Sequence, residues 1–137
     1  MSEQQLPPPP NPALLPVLAA ATYLAAVVAL WGVLSLALDR DPVDYPDAGP
    51  LLGPGMVAAA TVVTWLALLR TRRSRSPWPG TVLALVLSLA AMLLVALLGY
   101  GTAAVPHFLV GPFVPSAAAL SGVTVLVVWA LRPRRTI

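Results

Sequence analysis

Four long apolar stretches alternate with short polar or Pro-rich segments along the chain. We place helices at about residues 13–38, 53–69, 80–99 and 113–131, and none of these stretches contains a charged side chain. Each can cross a hydrocarbon core of about 30 Å, which takes roughly 17–25 apolar residues in a helix. The pattern predicts an all-α fold, a four-helix transmembrane bundle that forms one membrane domain over residues 13–131.

The composition also points to lipid as the solvent of this chain. Hydrophobic residues make up 58% of the 137 residues and charged residues only 9%, whereas a soluble domain carries about 25% charged residues. A soluble core of this size could not hide so much apolar surface, because small domains leave much of their surface exposed. The chain has no Cys, which excludes disulfides and Cys-based metal sites.

The charged residues are distributed unevenly between the predicted loops. Segment 39–50 carries one Arg and four Asp, and the segment between the third and fourth helices carries no charge. The other seven basic residues follow the second and fourth helices: Arg70, Arg72, Arg73, Arg75, Arg132, Arg134 and Arg135. Short Arg-rich loops stay in the cytoplasm. We therefore expect a multi-pass protein of a bacterial plasma membrane with cytoplasmic N- and C-termini.

These Arg residues are interpreted as topology signals and contacts for anionic lipid. Nucleic acid is not an expected partner, although the net charge is +3. Residues 1–12 include four consecutive Pro and predict a disordered Pro-rich cytoplasmic tail. That tail is either a linker or a docking motif for a Pro-binding domain. Residues 132–137 form a basic cytoplasmic tail.

The second and fourth helices resemble each other in sequence. Leu51–Pro54 is echoed by Leu109–Pro112, and each motif is followed by three Ala, a Trp and an R-x-R-R cluster. The echo indicates two parallel pseudo-repeat hairpins related by an axis along the membrane normal. The alternative is chance in an alphabet of few residue types, since both helices run from the outer to the inner face.

Candidate chemistry is confined to the two segments predicted at the outer face. The side chains are Asp39, Asp41, Asp44, Asp47 and His107. We interpret them as a candidate outer-face docking surface, with a merely solvated loop as the alternative. The acidic segment lacks the Gly and Glu positions of an EF-hand, and a single His makes a weak metal site. We therefore expect no metal and no cofactor.

Hydroxyl side chains and small residues are the remaining features of the helices. A Ser hydrolase needs a base within hydrogen-bond reach, and no ionisable residue lies in the apolar stretches, so we expect no catalytic residue and no enzyme. Small residues recur four apart at Ala21, Ala25 and Ala29, at Ala84 and Ser88, and at Ala118 and Gly122. Such spacing lets helices approach closely, either within the bundle or against a partner.

The segment from Tyr45 to Pro54, YPDAGPLLGP, resembles part of an uncharacterised family of small four-helix integral membrane proteins from actinobacteria. The resemblance implies the four-span layout but no activity. The small multidrug transporters also have four spans, but they need a membrane-embedded Glu in the first helix, which this chain lacks.

These patterns favour a small non-catalytic integral membrane protein, an accessory or structural subunit of a larger membrane complex. Its expected partners are the lipid bilayer and either another membrane protein or further copies of itself. The alternative is a small oligomeric transporter or channel without intramembrane charged residues. Ion pathways usually contain such residues, so their absence argues against ion coupling.

Overall fold

A computed structural model describes residues 11–72 and 74–131. Its helices are α1 (Leu14–Leu38), α2 (Leu52–Thr71), α3 (Trp78–Tyr100), α4 (Ala104–Val110) and α5 (Phe113–Ala130). The predictions for Arg73, for most of the Pro-rich tail and for the basic tail with Arg132, Arg134 and Arg135 lie outside the described residues. Every regular element in the described part of the chain is helical, which confirms the all-α prediction.

Four of these helices are long and apolar enough to span a membrane, namely α1, α2, α3 and α5. Their bounds differ from the predicted ones by at most two residues. The segment between the third and fourth predicted helices, about residues 100–112, is not an irregular loop, because it contains the short helix α4. Ala104 and Phe108 of α4 are buried, so this short helix covers one end of the bundle.

The four spans stand at the corners of a rhombus. Helices α2 and α5 touch across its short diagonal, α1 and α3 each pack against both of them, and α1 does not contact α3. The packing is most extensive where α3 meets α2 and α5, and α1 is held less tightly. A two-fold axis along the membrane normal would give the same set of neighbours, so the arrangement accommodates the predicted pseudo-repeat. Whether the hairpins arose by duplication stays a prediction.

Two apolar clusters fill the bundle, one above the other. The larger lies towards the α1–α2 loop and is built around Tyr23, Met56 and Met92, each at most 1% exposed. The smaller lies towards the α2–α3 loop and contains Leu68 and Val125. Both consist of interlocked aliphatic, aromatic and Met side chains, which close the interior by van der Waals packing.

A layer of hydroxyl groups separates the two clusters. The Oγ atom of Ser121 on α5 lies 2.8 Å from the Oγ1 atom of Thr64 on α2. The Ser88 hydroxyl on α3 donates to the same Ser121 Oγ atom at 2.8 Å. All three side chains are fully buried. Thr64 also donates to the Ala60 carbonyl at 2.8 Å. These hydrogen bonds link three spans. Each hydroxyl finds its partner within the bundle, because lipid offers none.

Two of the three predicted small-residue strips pack inside the bundle. Ala84, Ser88 and Ala118 are buried, and so is Gly122. A Cβ atom at Gly122 would lie 3.4 Å from the Thr81 carbonyl oxygen, so α5 approaches the α3 backbone closely there. The strip Ala21–Ala25–Ala29 is exposed, and packing within the bundle was the wrong interpretation for it.

Candidate functional site

The α1–α2 loop folds back onto the end of the bundle and packs against α3 and α4. The Tyr45 ring lies at its centre, with ring centroids 5.7 Å from Tyr100, 5.4 Å from His107 and 5.8 Å from Phe108. Aromatic rings at such distances attract through edge-to-face and tilted contacts. These ring contacts anchor the loop to the end of the bundle. The loop sequence, with its four Asp and several Pro, does not indicate such an anchor.

Backbone contacts hold the loop on both sides of Tyr45. The Gly49 amide donates to the Tyr100 hydroxyl at 2.5 Å, which links the loop to the end of α3. The Val43 side chain lies so close to the start of α2 that a Cβ atom at Gly53 would come within 3.0 Å of it. A loop fixed at three points has little conformational entropy left to lose.

The four Asp of this loop fall into two pairs with different surroundings. Asp41 and Asp44 line a cavity of about 290 Å³ together with Arg40 and His107. Asp39 and Asp47 adopt left-handed backbone conformations, with φ of 50° and 62°. Asp39 caps the end of α1, where its amide donates to the Ser35 carbonyl. Asp and Asn tolerate this conformation better than most residues, so the second pair shapes turns.

The cavity carries mixed charge and an apolar back wall. Its acidic groups and the Arg40 guanidinium lie at the surface, while Phe108 and Phe113 behind them are buried. Within residues 11–72 and 74–131, no group of three His, Asp or Glu side chains is arranged to hold a metal ion. The cavity is thus suited to contact with a polar surface that carries both donors and acceptors.

A second concave surface, the α1–α2 groove, runs between those two helices on the lipid-facing side. It has a volume of about 900 Å³ and is lined mainly by apolar side chains of both helices, with loop residues at one end. Trp31 forms part of its wall and donates from Nε1 to the Phe113 carbonyl at 2.8 Å. The groove and the smaller cavity share Asp41 and Pro42.

The opposite end of the bundle carries the basic residues of the α2–α3 loop. Arg70 and Arg75 are exposed there. The Arg72 guanidinium donates to the Pro12 carbonyl and so links this loop to the start of α1. The described part of the Arg-rich loop and the start of α1 therefore lie at the same end of the bundle, as four spans require.

Sequence comparison places the chain in a family. A model of a family of unknown function, DUF6121, matches residues 11–136. The chain belongs to this family. Neither the curated proteins nor the solved structures give a match. The match confirms the resemblance to an uncharacterised family, and an actinobacterial origin stays a prediction.

Several residues of this site were not predicted from the sequence. Tyr45 and Trp31 were given no role, although an aromatic residue in a polar loop is a signal that the loop packs against something. Aromatic residues near the ends of spans are typical of a belt at the membrane interface, but Phe108 and Phe113 are both buried in the larger cluster. Trp65 and Trp78 are exposed, as residues of such a belt would be.

Proposed function

We propose that this membrane protein is a non-catalytic accessory or structural subunit of a larger membrane complex. It would dock another membrane protein through the end of the bundle formed by the α1–α2 loop and α4. The docking surface consists of the 290 Å³ cavity with Arg40, Asp41, Asp44 and His107. The proposal includes an orientation in the plasma membrane with the termini in the cytoplasm and this surface outside.

The observation that carries the proposal is the position of the concave surfaces relative to the filled interior. The middle of the bundle holds fully buried Met and Tyr side chains and three hydroxyls that bond to one another. A channel through a single copy would have to break this layer. The cavity and the groove lie instead at the loop end and on the lipid-facing side, where a partner can reach them. The surfaces favour a protein that works by contact.

The docking surface is tested with two double variants that remove the same charge. Asp41→Asn/Asp44→Asn changes the cavity, whereas Asp39→Asn/Asp47→Asn changes only turn residues, and Asn keeps their left-handed backbone accessible. Each variant is purified from its native membrane in mild detergent, and co-purified proteins are quantified by mass spectrometry. We expect the first pair to lower recovery of a stoichiometric partner on the order of tenfold, and the second pair to leave it unchanged.

Two outcomes would contradict the proposal. One is an equal loss of partner in both double variants, which would make loop charge rather than the cavity responsible. The other is the recovery of copies of this chain alone, together with pH-gradient-driven uptake by the purified protein in liposomes. That result would support the small oligomeric transporter.

The orientation is tested by labelling single Cys variants of this Cys-free chain. Pro46→Cys and Ser74→Cys both replace exposed residues, one in the α1–α2 loop and one in the Arg-rich loop. On intact cells, a membrane-impermeant thiol reagent should label Pro46→Cys and spare Ser74→Cys, because Arg-rich loops are retained inside. Permeabilised cells give the control, in which both variants react. If Ser74→Cys alone were labelled on intact cells, the protein would have the orientation opposite to the proposed one.

A further inference from the structure

The α1–α2 groove has the length of one leaflet. On α1 its wall runs from Leu24 to Gly32, and on α2 from Gly53 to Val62. At roughly 1.5 Å per residue, these walls are about 12 Å and 14 Å long. Half of a hydrocarbon core of about 30 Å is about 15 Å. A lipid chain of one leaflet therefore matches the groove in length, whereas a spanning helix of a second copy would extend past its end.

The lining of the groove changes from apolar to charged along this length. Its walls are mainly apolar. The Thr61 hydroxyl already donates to the Val57 carbonyl at 2.7 Å, so it has no proton left for a ligand. Among the described residues that line the groove, Asp41 alone carries a charge, and it lies at the loop end. An apolar trough with a carboxylate at the level of the membrane surface complements an amphiphile with an ammonium head.

Gly32 leaves room for the apolar part of such a ligand. A Cβ atom at this position would meet nothing within 4 Å. Gly in the middle of a helix lowers its stability by about 1 kcal/mol relative to Ala, and no close approach of another backbone requires it here. Gly32 lines the groove, so a side chain at this position would take up space in it. Keeping the groove open therefore explains the Gly at this position, which packing within the bundle does not.

We propose that the α1–α2 groove binds one phospholipid with an amine-bearing headgroup. Its acyl part lies along Leu24, Val28 and Gly32, and its ammonium group pairs with the Asp41 carboxylate. The lipid belongs to the leaflet on the side of the α1–α2 loop. The groove shares Asp41 and Pro42 with the neighbouring cavity of the proposed docking surface, whereas the acyl contacts on α1 lie in the groove alone.

Quenching of Trp31 fluorescence by brominated acyl chains tests the proposal, because Trp31 forms part of the groove wall. The full-length chain is made with Trp65, Trp78 and Trp129 replaced by Phe, and it is reconstituted in phosphatidylglycerol vesicles. Phosphatidylethanolamine with brominated chains is titrated in, and phosphatidylglycerol with the same chains is the comparison. A second protein that keeps only Trp65, which is exposed to lipid, reports on bulk lipid.

We expect brominated phosphatidylethanolamine to quench Trp31 at a mole fraction several times lower than brominated phosphatidylglycerol. Trp65 should respond equally to both lipids. Asp41→Asn should remove the preference of Trp31, because it removes the partner of the ammonium group. Gly32→Leu should reduce quenching by both lipids, because it fills the groove. Ala29→Leu adds the same kind of side chain at an exposed position of α1 outside the groove and should behave like the parent.

Equal quenching of Trp31 by the two lipids would overturn the headgroup assignment. Unchanged quenching in Gly32→Leu would overturn the groove as the site. Thermal unfolding of each variant in the same vesicles shows that the fold is intact, and Asp41→Asn at an exposed position should not alter it. These readouts do not depend on a protein partner, so failure of the docking proposal would leave them interpretable.

Discussion

Replacing Gly122 by Leu is expected to lower the free energy of unfolding by roughly 1–3 kcal/mol or more, the cost of forcing extra methylene groups into a packed interface. A Cβ atom at this position would lie 3.4 Å from the Thr81 carbonyl oxygen and 3.5 Å from the Leu85 Cβ atom. The α3 backbone cannot yield as a flexible side chain would. The remaining atoms of Leu would therefore push α5 away from α3, at an interface whose packing is second only to that between α2 and α3.

The matched control is Gly32→Leu, the same change on α1. Open space surrounds that position, and Leu favours a helix more than Gly does, so stability should stay equal or rise. Both variants are compared by reversible unfolding in lipid or mild detergent. Equal losses in the two variants would contradict the close contact between α3 and α5.

Replacing Trp31 by Ala is expected to destabilise the attachment of α1 by about 3 kcal/mol, the low end of the range for buried aromatic residues. The low end applies because lipid, and not water, surrounds the separated helices. The Trp31 ring is 6% exposed and packs edge-on against Phe113, with centroids 6.0 Å apart. Among the described residues, Tyr23 alone makes a comparable hydrogen bond from α1 to another span, through its hydroxyl to the Ala117 carbonyl at 3.0 Å.

Two further variants separate the causes of this loss. Trp31→Phe keeps an aromatic ring but removes the N–H donor and part of the indole ring. The lost hydrogen bond should cost about 0.6 kcal/mol and at most about 1.7 kcal/mol, and the smaller ring adds a cavity term, so the total loss should lie between that cost and the loss in Trp31→Ala. The Phe113 carbonyl would still accept from the Ser116 hydroxyl. Trp65→Ala removes a ring that is 38% exposed to lipid and should change stability little. A loss in Trp65→Ala as large as in Trp31→Ala would contradict the assignment of Trp31 to the interface.

The different positions of the four Asp in the α1–α2 loop could not be predicted from the sequence. Asp39, Asp41, Asp44 and Asp47 look alike in a Pro-rich segment, and only the path of the backbone distinguishes them. Two of them occupy turn positions with positive φ, and the other two line a cavity with His107. His107 is more than sixty residues away in sequence. Contacts at such separations follow from how the helices pack.

The number, length and nature of the spans were determined by the sequence alone, because lipid demands about 20 consecutive apolar residues wherever a helix crosses it. The sequence also located the small residues of α3 and α5, whose spacing follows the helical period. It did not reveal that the strip on α1 faces outward, since a lipid-facing surface and a buried one have the same apolar composition. Only the tertiary structure decided which face of each helix turns inward, because that choice depends on how the side chains fit together. Tyr23 and Trp31 donate hydrogen bonds to carbonyls of α5, and the hydroxyls of Ser88, Thr64 and Ser121 bond to one another.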